Sequence, residues 1–268
     1  MSRIREKFDE LKRAGRKGFI PFVTAGDPDL ETSLEIVLKL AELGADIVEL
    51  GVPFSDPMAD GPVIQRSSAR SLERGTTFRD VLEFSSEVRM RTDIPLVLFT
   101  YYNPLLKFGL DEFCQFGSGL DGVLLTDVIG DDALKISDRF TESGMDLISL
   151  VAPTTSDRRL EGICSNARGF IYAVSRAGVT GEQAEISSQA ELLVDRTRQF
   201  TDLPVAVGFG ISTFEQITDV WRYADAAVVG SAIVAEIEKA ATTTGAVDAV
   251  EKLMERLLPQ VAKTGGEN

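Results

Sequence analysis

Residues 47–65 read IVELGVPFSDPMADGPVIQ. Ile47, Val48 and Leu50 make a short apolar run of the kind that forms a strand buried on both faces in an α/β protein, and Glu49 sits inside it. A carboxylate in that position is costly unless it has a partner or a task. Glu49 is therefore either half of a buried ion pair, with an arginine as its natural mate, or a group whose shifted protonation is used. Glycine, proline and serine then build a loop that ends in a second acid, Asp60, between Ala59 and Gly61.

The same punctuation recurs along the chain. Aliphatic runs at 19–23, 47–50, 96–99, 122–125, 147–151, 170–174, 205–207 and 226–229 read as strands. Segments of 3.6-residue periodicity lie between them, at 30–43, 77–91, 110–116, 132–143, 156–167, 188–200, 213–223 and from Ser231 onwards, and an amphipathic helix at 4–14 precedes them all. Eight strand–helix alternations in 268 residues predict an α/β chain, a (β/α)₈ TIM barrel with an extra N-terminal helix, as one domain over 1–268. A doubly wound open sheet would also alternate, but no G-x-G-x-x-G follows the first strand.

In such a barrel the chemistry sits on the loops after the C-terminal ends of the strands. Strand seven ends in Gly208-Phe209-Gly210 and strand eight in Gly230-Ser231, and strand six runs into SRAGVTG at 175–181. Small residues and free backbone N–H groups at these loops suit a phosphate, with the Ser231 hydroxyl as a further donor. For either glycine pair alone, a tight turn is the plainer account. Phe22, Tyr101, Leu124, Tyr172 and Phe209 belong to the barrel core or wall a flat apolar pocket. Beside a phosphate site they suggest a ligand aromatic at one end and phosphorylated at the other.

Composition narrows the catalytic groups. The chain has no histidine, which excludes an imidazole base or a histidine-ligated zinc. All nine lysines fall in helical patterns or at loop edges, against a Schiff-base mechanism. Cys114 and Cys164 lie far apart in helical segments and read as inert thiols of a reducing compartment. Carboxylates remain at strand ends: Glu49 and Asp60, with Asp127 reading as a capping or loop-fixing residue and Asp27, before Pro28, as turn chemistry. A net charge of −14 disfavours nucleic acid and anionic membranes as partners. The N-terminus lacks the apolar core of a signal peptide and no apolar run approaches the roughly 18 residues of a membrane span, so a cytoplasmic location is expected.

The stretch ELGVPFSDPMADGPVIQ, with IPFVTAGDP before it and SRAGVTG and VGFGIS after it, closely resembles the family of tryptophan synthase α subunits, in order over nearly the whole chain. The resemblance implies a lyase that cleaves indole-3-glycerol phosphate to indole and glyceraldehyde 3-phosphate, in the last steps of L-tryptophan biosynthesis. It implies a β subunit as partner in an α2β2 heterotetramer, with pyridoxal phosphate in that partner and no cofactor or metal in this chain. The family's two catalytic carboxylates fall on Glu49 and Asp60. Its substrate-contact positions fall on Phe22, Tyr101, Leu124, Tyr172, Thr180, Gly181, Phe209, Gly210, Gly230 and Ser231. It also implies that Thr180 bonds the loop aspartate when its loop closes, and that residues around 53–56 and 103–104 face the partner. Met58, Thr100 and Thr126 depart from the commonest family pattern.

That reaction is a retro-aldol step. It needs a proton at indole C3, an iminium-like ring nitrogen and removal of the side-chain hydroxyl proton. An acid raised in pKa by an apolar strand and an ionised acid on a polar loop divide those roles between Glu49 and Asp60. Two other readings remain open at the level of sequence. One is a different phosphosugar lyase or isomerase on the same barrel; the other is a regulatory partner of a β subunit with weak activity alone.

Overall fold

The computed structural model describes residues 2–128, 131–174, 183–208, 210–240 and 243–259. Eight strands, β1 (Gly18–Thr24), β2 (Val48–Gly51), β3 (Leu96–Thr100), β4 (Gly122–Leu125), β5 (Asp146–Val151), β6 (Ile171–Val174), β7 (Val205–Gly208) and β8 (Ala226–Val229), form a closed barrel in sequence order. Every pairing is parallel, and β8 closes on β1. Each strand lies within one residue of its expected ends.

The helices are α1 (Arg3–Arg13), α2 (Leu30–Glu42), α3 (Pro62–Glu73), α4 (Phe78–Arg91), α5 (Tyr102–Phe108), α6 (Leu110–Phe116), α7 (Asp131–Glu142), α8 (Asp157–Asn166), α9 (Gln183–Thr197), α10 (Phe214–Tyr223), α11 (Ser231–Lys239) and α12 (Thr243–Leu257). Three features differ from expectation. Helix α3 is absent from the sequence reading because the residues it buries are Ser67, Ser68 and Ser71, which leave no apolar stripe. Helix α5 spans only seven residues and carries Pro104 in its first turn, where proline is tolerated. The last helical segment divides into α11 and α12.

Strand parity separates two cores. Ile20, Ile47, Val97, Leu124, Ile148, Phe170, Tyr172, Ala206, Ala226 and Val228 fill the barrel interior. Their strand neighbours, such as Phe19, Val48, Leu98, Val123, Ile171, Val207 and Ala227, pack outward under the helices. Helix α1 closes the N-terminal end of the barrel: Ile4, Phe8 and Leu11 join the interior cluster, and the Phe8 and Phe170 rings lie 5.6 Å apart. At that end a carboxylate also ties neighbouring strands together. Asp46, Asp121 and Asp225 accept the backbone N–H of Phe19, Leu96 and Val205 at 2.9, 2.9 and 3.0 Å. The other end is left for chemistry.

Candidate active site

Glu49 occupies an interior position of β2, in register with Phe22 of β1 and Val97 of β3, and is 1 % exposed. Its surroundings are aromatic. The rings of Phe22 and Phe99 meet edge-on at 5.3 Å, and two glycines make room for the aromatic layer. A Cβ on Gly51 would stand 2.4 Å from the Phe22 ring, and one on Gly208 would stand 2.1 Å from the Tyr172 hydroxyl. Among the described residues Glu49 Oε1 has no hydrogen-bond partner. Burial alone raises the Glu49 carboxyl to about 8, so it is largely protonated at neutral pH. Burial first, and the Glu49 charge second, push the Tyr172 phenol well above its usual range.

The buried ion pair weighed for Glu49 exists at a different acid. Arg70 grips Asp27, 2 % exposed, through Nε–Oδ1 and Nη2–Oδ2 contacts of 2.8 and 2.7 Å. Asp27 is thus an ion-pair anchor as well as part of a turn. Asp127, expected to cap or to fix a loop, does the latter: it accepts the Tyr102 N–H at 2.8 Å and ties the β4–α7 loop to the start of α5.

Asp60 ends the β2–α3 loop, half-buried, two residues before α3 starts. Gln65, in the first turn of α3, donates its side-chain amide to the Asp60 carbonyl at 2.9 Å. The Tyr101 hydroxyl accepts the Ala59 N–H at 2.9 Å and is hydrogen-bonded to the Asp60 carboxyl. Burial raises Asp60 to about 6 and the Tyr101 bond opposes it, so the acid is mostly ionised at pH 7. Burial, then the Asp60 charge, raises the Tyr101 phenol.

Glu49 and Asp60 open onto one cleft of about 600 Å³, counting the solvent at its mouth. Phe22, Tyr172, Gly210, Gly230 and Ser231 share its wall with Gly61, Ile64, Phe99 and Val228. Helix α11 presents its N-terminus there: Gly230 is its N-cap and no side chain caps it, so its first N–H groups and the exposed Ser231 can receive an anion. Among the described residues no cluster of acids and thiols could hold a metal ion.

Seven of the twelve site residues expected from sequence line this cleft. Tyr101 bonds to Ala59 and Asp60 behind the wall, and Leu124 is fully buried in the barrel interior and does not line the cleft. Thr180, Gly181 and Phe209, with the loop at 175–181, lie outside the described residues. Sequence reasoning missed four wall residues. Phe99 and Val228 were findable by strand parity, since they follow the inward Val97 and Ala226 by two; Gly61 and Ile64 depend on α3, which has no periodic signal.

The family model for the tryptophan synthase alpha chain matches residues 8–262. A tryptophan synthase alpha chain of Prochlorococcus marinus subsp. pastoris is 45% identical over 240 residues, covering 88% of this chain and 86% of that one. A crystal structure of the tryptophan synthase alpha chain of Legionella pneumophila subsp. pneumophila superposes with a TM-score of 0.88 at 33% identity, with 100% of both chains covered. Tryptophan synthase from M. tuberculosis in its aminoacrylate-bound form contains a chain that superposes at 0.84, with 32% identity, 95% of this chain and 98% of that one covered. With a buried acid whose Oε1 has no hydrogen-bond partner among the described residues, a second acid on the following loop and an anion-ready helix end in one barrel cleft, and with a match that runs nearly end to end, this chain belongs to the tryptophan synthase alpha chain family.

Proposed function

We propose that this chain cleaves indole-3-glycerol phosphate to indole and glyceraldehyde 3-phosphate, with Glu49 as the proton carrier and Asp60 as the group that stabilises the indole ring nitrogen. The observation that carries the proposal is Glu49 itself, a buried carboxyl without a hydrogen-bond partner for Oε1 among the described residues, raised to about 8 in a cleft that also holds Asp60. A structural acid would be paired, as Asp27 is.

The steps follow from those two states. Protonated Glu49 donates to indole C3, and the positive charge that develops at the ring N–H is met by ionised Asp60. The resulting Glu49 carboxylate takes the proton of the hydroxyl on the adjoining side-chain carbon. The carbon–carbon bond then breaks, its electrons restore the indole ring, the hydroxyl carbon leaves as an aldehyde, and Glu49 ends protonated as it began. Phe22, Phe99, Ile64 and Tyr172 offer the apolar wall for the indole, and Gly210, Gly230 and Ser231 offer the phosphate site. The step is redox-neutral overall: the carbinol carbon is oxidised to the aldehyde as indole C3 is reduced, and no outside oxidant or reductant is needed. Pyridoxal phosphate is assigned to the β partner, where it would join indole to serine.

A β subunit is the partner that this reading requires, in an α2β2 assembly. Met58, 91 % exposed, and Leu106, 53 % exposed, give an apolar surface beside residues 53–56 and 103–104. Among the described residues no helix is long and apolar enough to cross a membrane, and the cytoplasm is the proposed location. The test is indole release from indole-3-glycerol phosphate by the purified protein, with and without a β subunit. Glu49→Gln should lower release at least about 1,000-fold, within the range that general acid–base catalysis supplies, while binding of glyceraldehyde 3-phosphate stays within about threefold (roughly 0.7 kcal/mol). A mutant that releases indole at the parent rate would remove Glu49 from its role.

A further inference from the structure

Helix α3, which begins two residues after Asp60, is held to the barrel in an unusual way. The residues it buries are Ser67, Ser68 and Ser71, while Leu72 is exposed and Val63 and Ile64 are only half-buried. Apolar packing normally fixes a barrel helix but tolerates sliding, whereas hydrogen bonds and forked ion pairs are directional. Here the contacts are of the second kind. The Ser67 hydroxyl lies 2.6 Å from that of Thr24 at the top of β1, and the Ser71 hydroxyl donates to the Ala25 carbonyl at 2.7 Å. The β1–α2 turn passes so close beneath that a Cβ on Gly26 would meet Thr76 Oγ1 at 2.3 Å and Ser71 Oγ at 2.6 Å.

Arg70 completes the seat and extends it. While Nε and Nη2 hold Asp27, Nη1 reaches Glu238 of α11 at 2.7 Å. Arg66, one turn earlier on α3, holds the two Glu238 oxygens through Nε and Nη2, both at 2.7 Å. Two helices are thus locked to each other and to the β1–α2 turn by one set of charges. Each sends its N-terminus to the cleft: α3 follows Asp60 and Gly61, and α11 opens with Gly230 and Ser231.

We propose that Arg70, with Asp27 and Glu238, is a positioning residue that fixes the separation between Asp60 at the indole end of the cleft and the α11 N-terminus at the phosphate end. The inference rests on the reading given under Proposed function and extends it to residues that touch no substrate. A substrate held at both ends is sensitive to that separation, because an error of about 1 Å in placement costs on the order of 100-fold in rate.

The experiment uses the full chain with its β subunit and measures kcat and KM for indole release, affinity for glyceraldehyde 3-phosphate alone, and melting temperature. Arg70→Met should lower kcat about 10- to 100-fold while glyceraldehyde 3-phosphate binding stays within about threefold, since that ligand meets only one of the two ends. Arg70→Met also leaves the buried Asp27 charge unpaired, a stability defect of its own. The double variant Asp27→Asn/Arg70→Met removes that charge, so its melting temperature should return towards the parent while kcat stays low. A double variant that recovers kcat together with melting temperature would reduce the cluster to a stability role and overturn the proposal. Should both variants fail to fold, Glu238→Gln unfastens α11 from α3 without a deeply buried charge, and there a kcat within about twofold of the parent overturns it. A parent protein that releases no indole would bring down the proposed function and this inference together; an active parent beside an equally active double variant brings down the inference alone.

Discussion

At the scale of single residues the proposed chemistry depends on two carboxyls displaced upward by burial to different degrees. Glu49, among aromatic rings, is raised to about 8, and Asp60, tied to Tyr101 on a half-open loop, to about 6. The proposed mechanism needs the first protonated and the second ionised, so its competent form lies between those values. Below about 6 Asp60 takes a proton and no longer answers charge at the indole nitrogen; above about 8 Glu49 loses the proton it must deliver. The expected outcome is a bell-shaped kcat/KM for indole release with limbs near pH 6 and pH 8, measured from pH 5 to 9.5, the two limbs belonging to the pair as a unit. Asp60→Asn should flatten the acid limb of whatever activity remains. An acid limb unchanged in that variant would give it to another group. Glu49 was legible in the sequence because an acid in an aliphatic run is a local anomaly. That its Oε1 has no hydrogen-bond partner among the described residues was not, since the buried ion pair weighed for it forms instead between Arg70 and Asp27, through the placement of a helix that no pattern announces.

The elements divide by how they are held. Strands were legible almost to the residue because burial on both faces leaves an unbroken aliphatic run, and parity then assigns each side chain to the interior or to the helix layer. Helices with apolar stripes were legible for the same reason. Helix α3 was not, because serines and arginines hold it, and the cleft residues Gly61 and Ile64 were lost with it. Helix α1 is the opposite case, an amphipathic segment whose apolar face identifies a helix but not its seat. The structure puts Ile4, Phe8 and Leu11 into the barrel mouth opposite the cleft. Truncation there should cost stability without touching catalysis. Phe8→Ala removes a ring 6 % exposed and packed on Phe170, so it should cost about 3–5 kcal/mol and lower the melting temperature by roughly 10 °C, with KM for indole release unchanged at 25 °C. A raised KM would show that the two ends of the barrel are coupled.

Across the whole molecule the two barrel ends carry different loads. The N-terminal end is closed by α1 and tied by Asp46, Asp121 and Asp225, each accepting a backbone N–H from a neighbouring strand. The C-terminal end spends its side chains on the cleft and tolerates there an acid whose Oε1 has no hydrogen-bond partner among the described residues, and this concentrates the proposed chemistry on one side of the barrel. The partner has to meet that second end if indole is to pass on without entering solvent. Sequence resemblance placed the meeting surface around 53–56 and 103–104, and the structure adds exposed apolar side chains at Met58 and Leu106 on the adjoining segments. Leu106 is the cleaner probe. It projects from α5, 53 % exposed, and does not line the cleft, so Leu106→Asp removes apolar contact area and puts a charge into the interface without disturbing Glu49 or Asp60. The expected result is a dissociation constant for the β subunit raised at least about tenfold, roughly 1.4 kcal/mol, read by titration calorimetry. Indole release by the isolated chain should stay within about twofold of the parent, and binding at the parent affinity would move the partner surface away from α5.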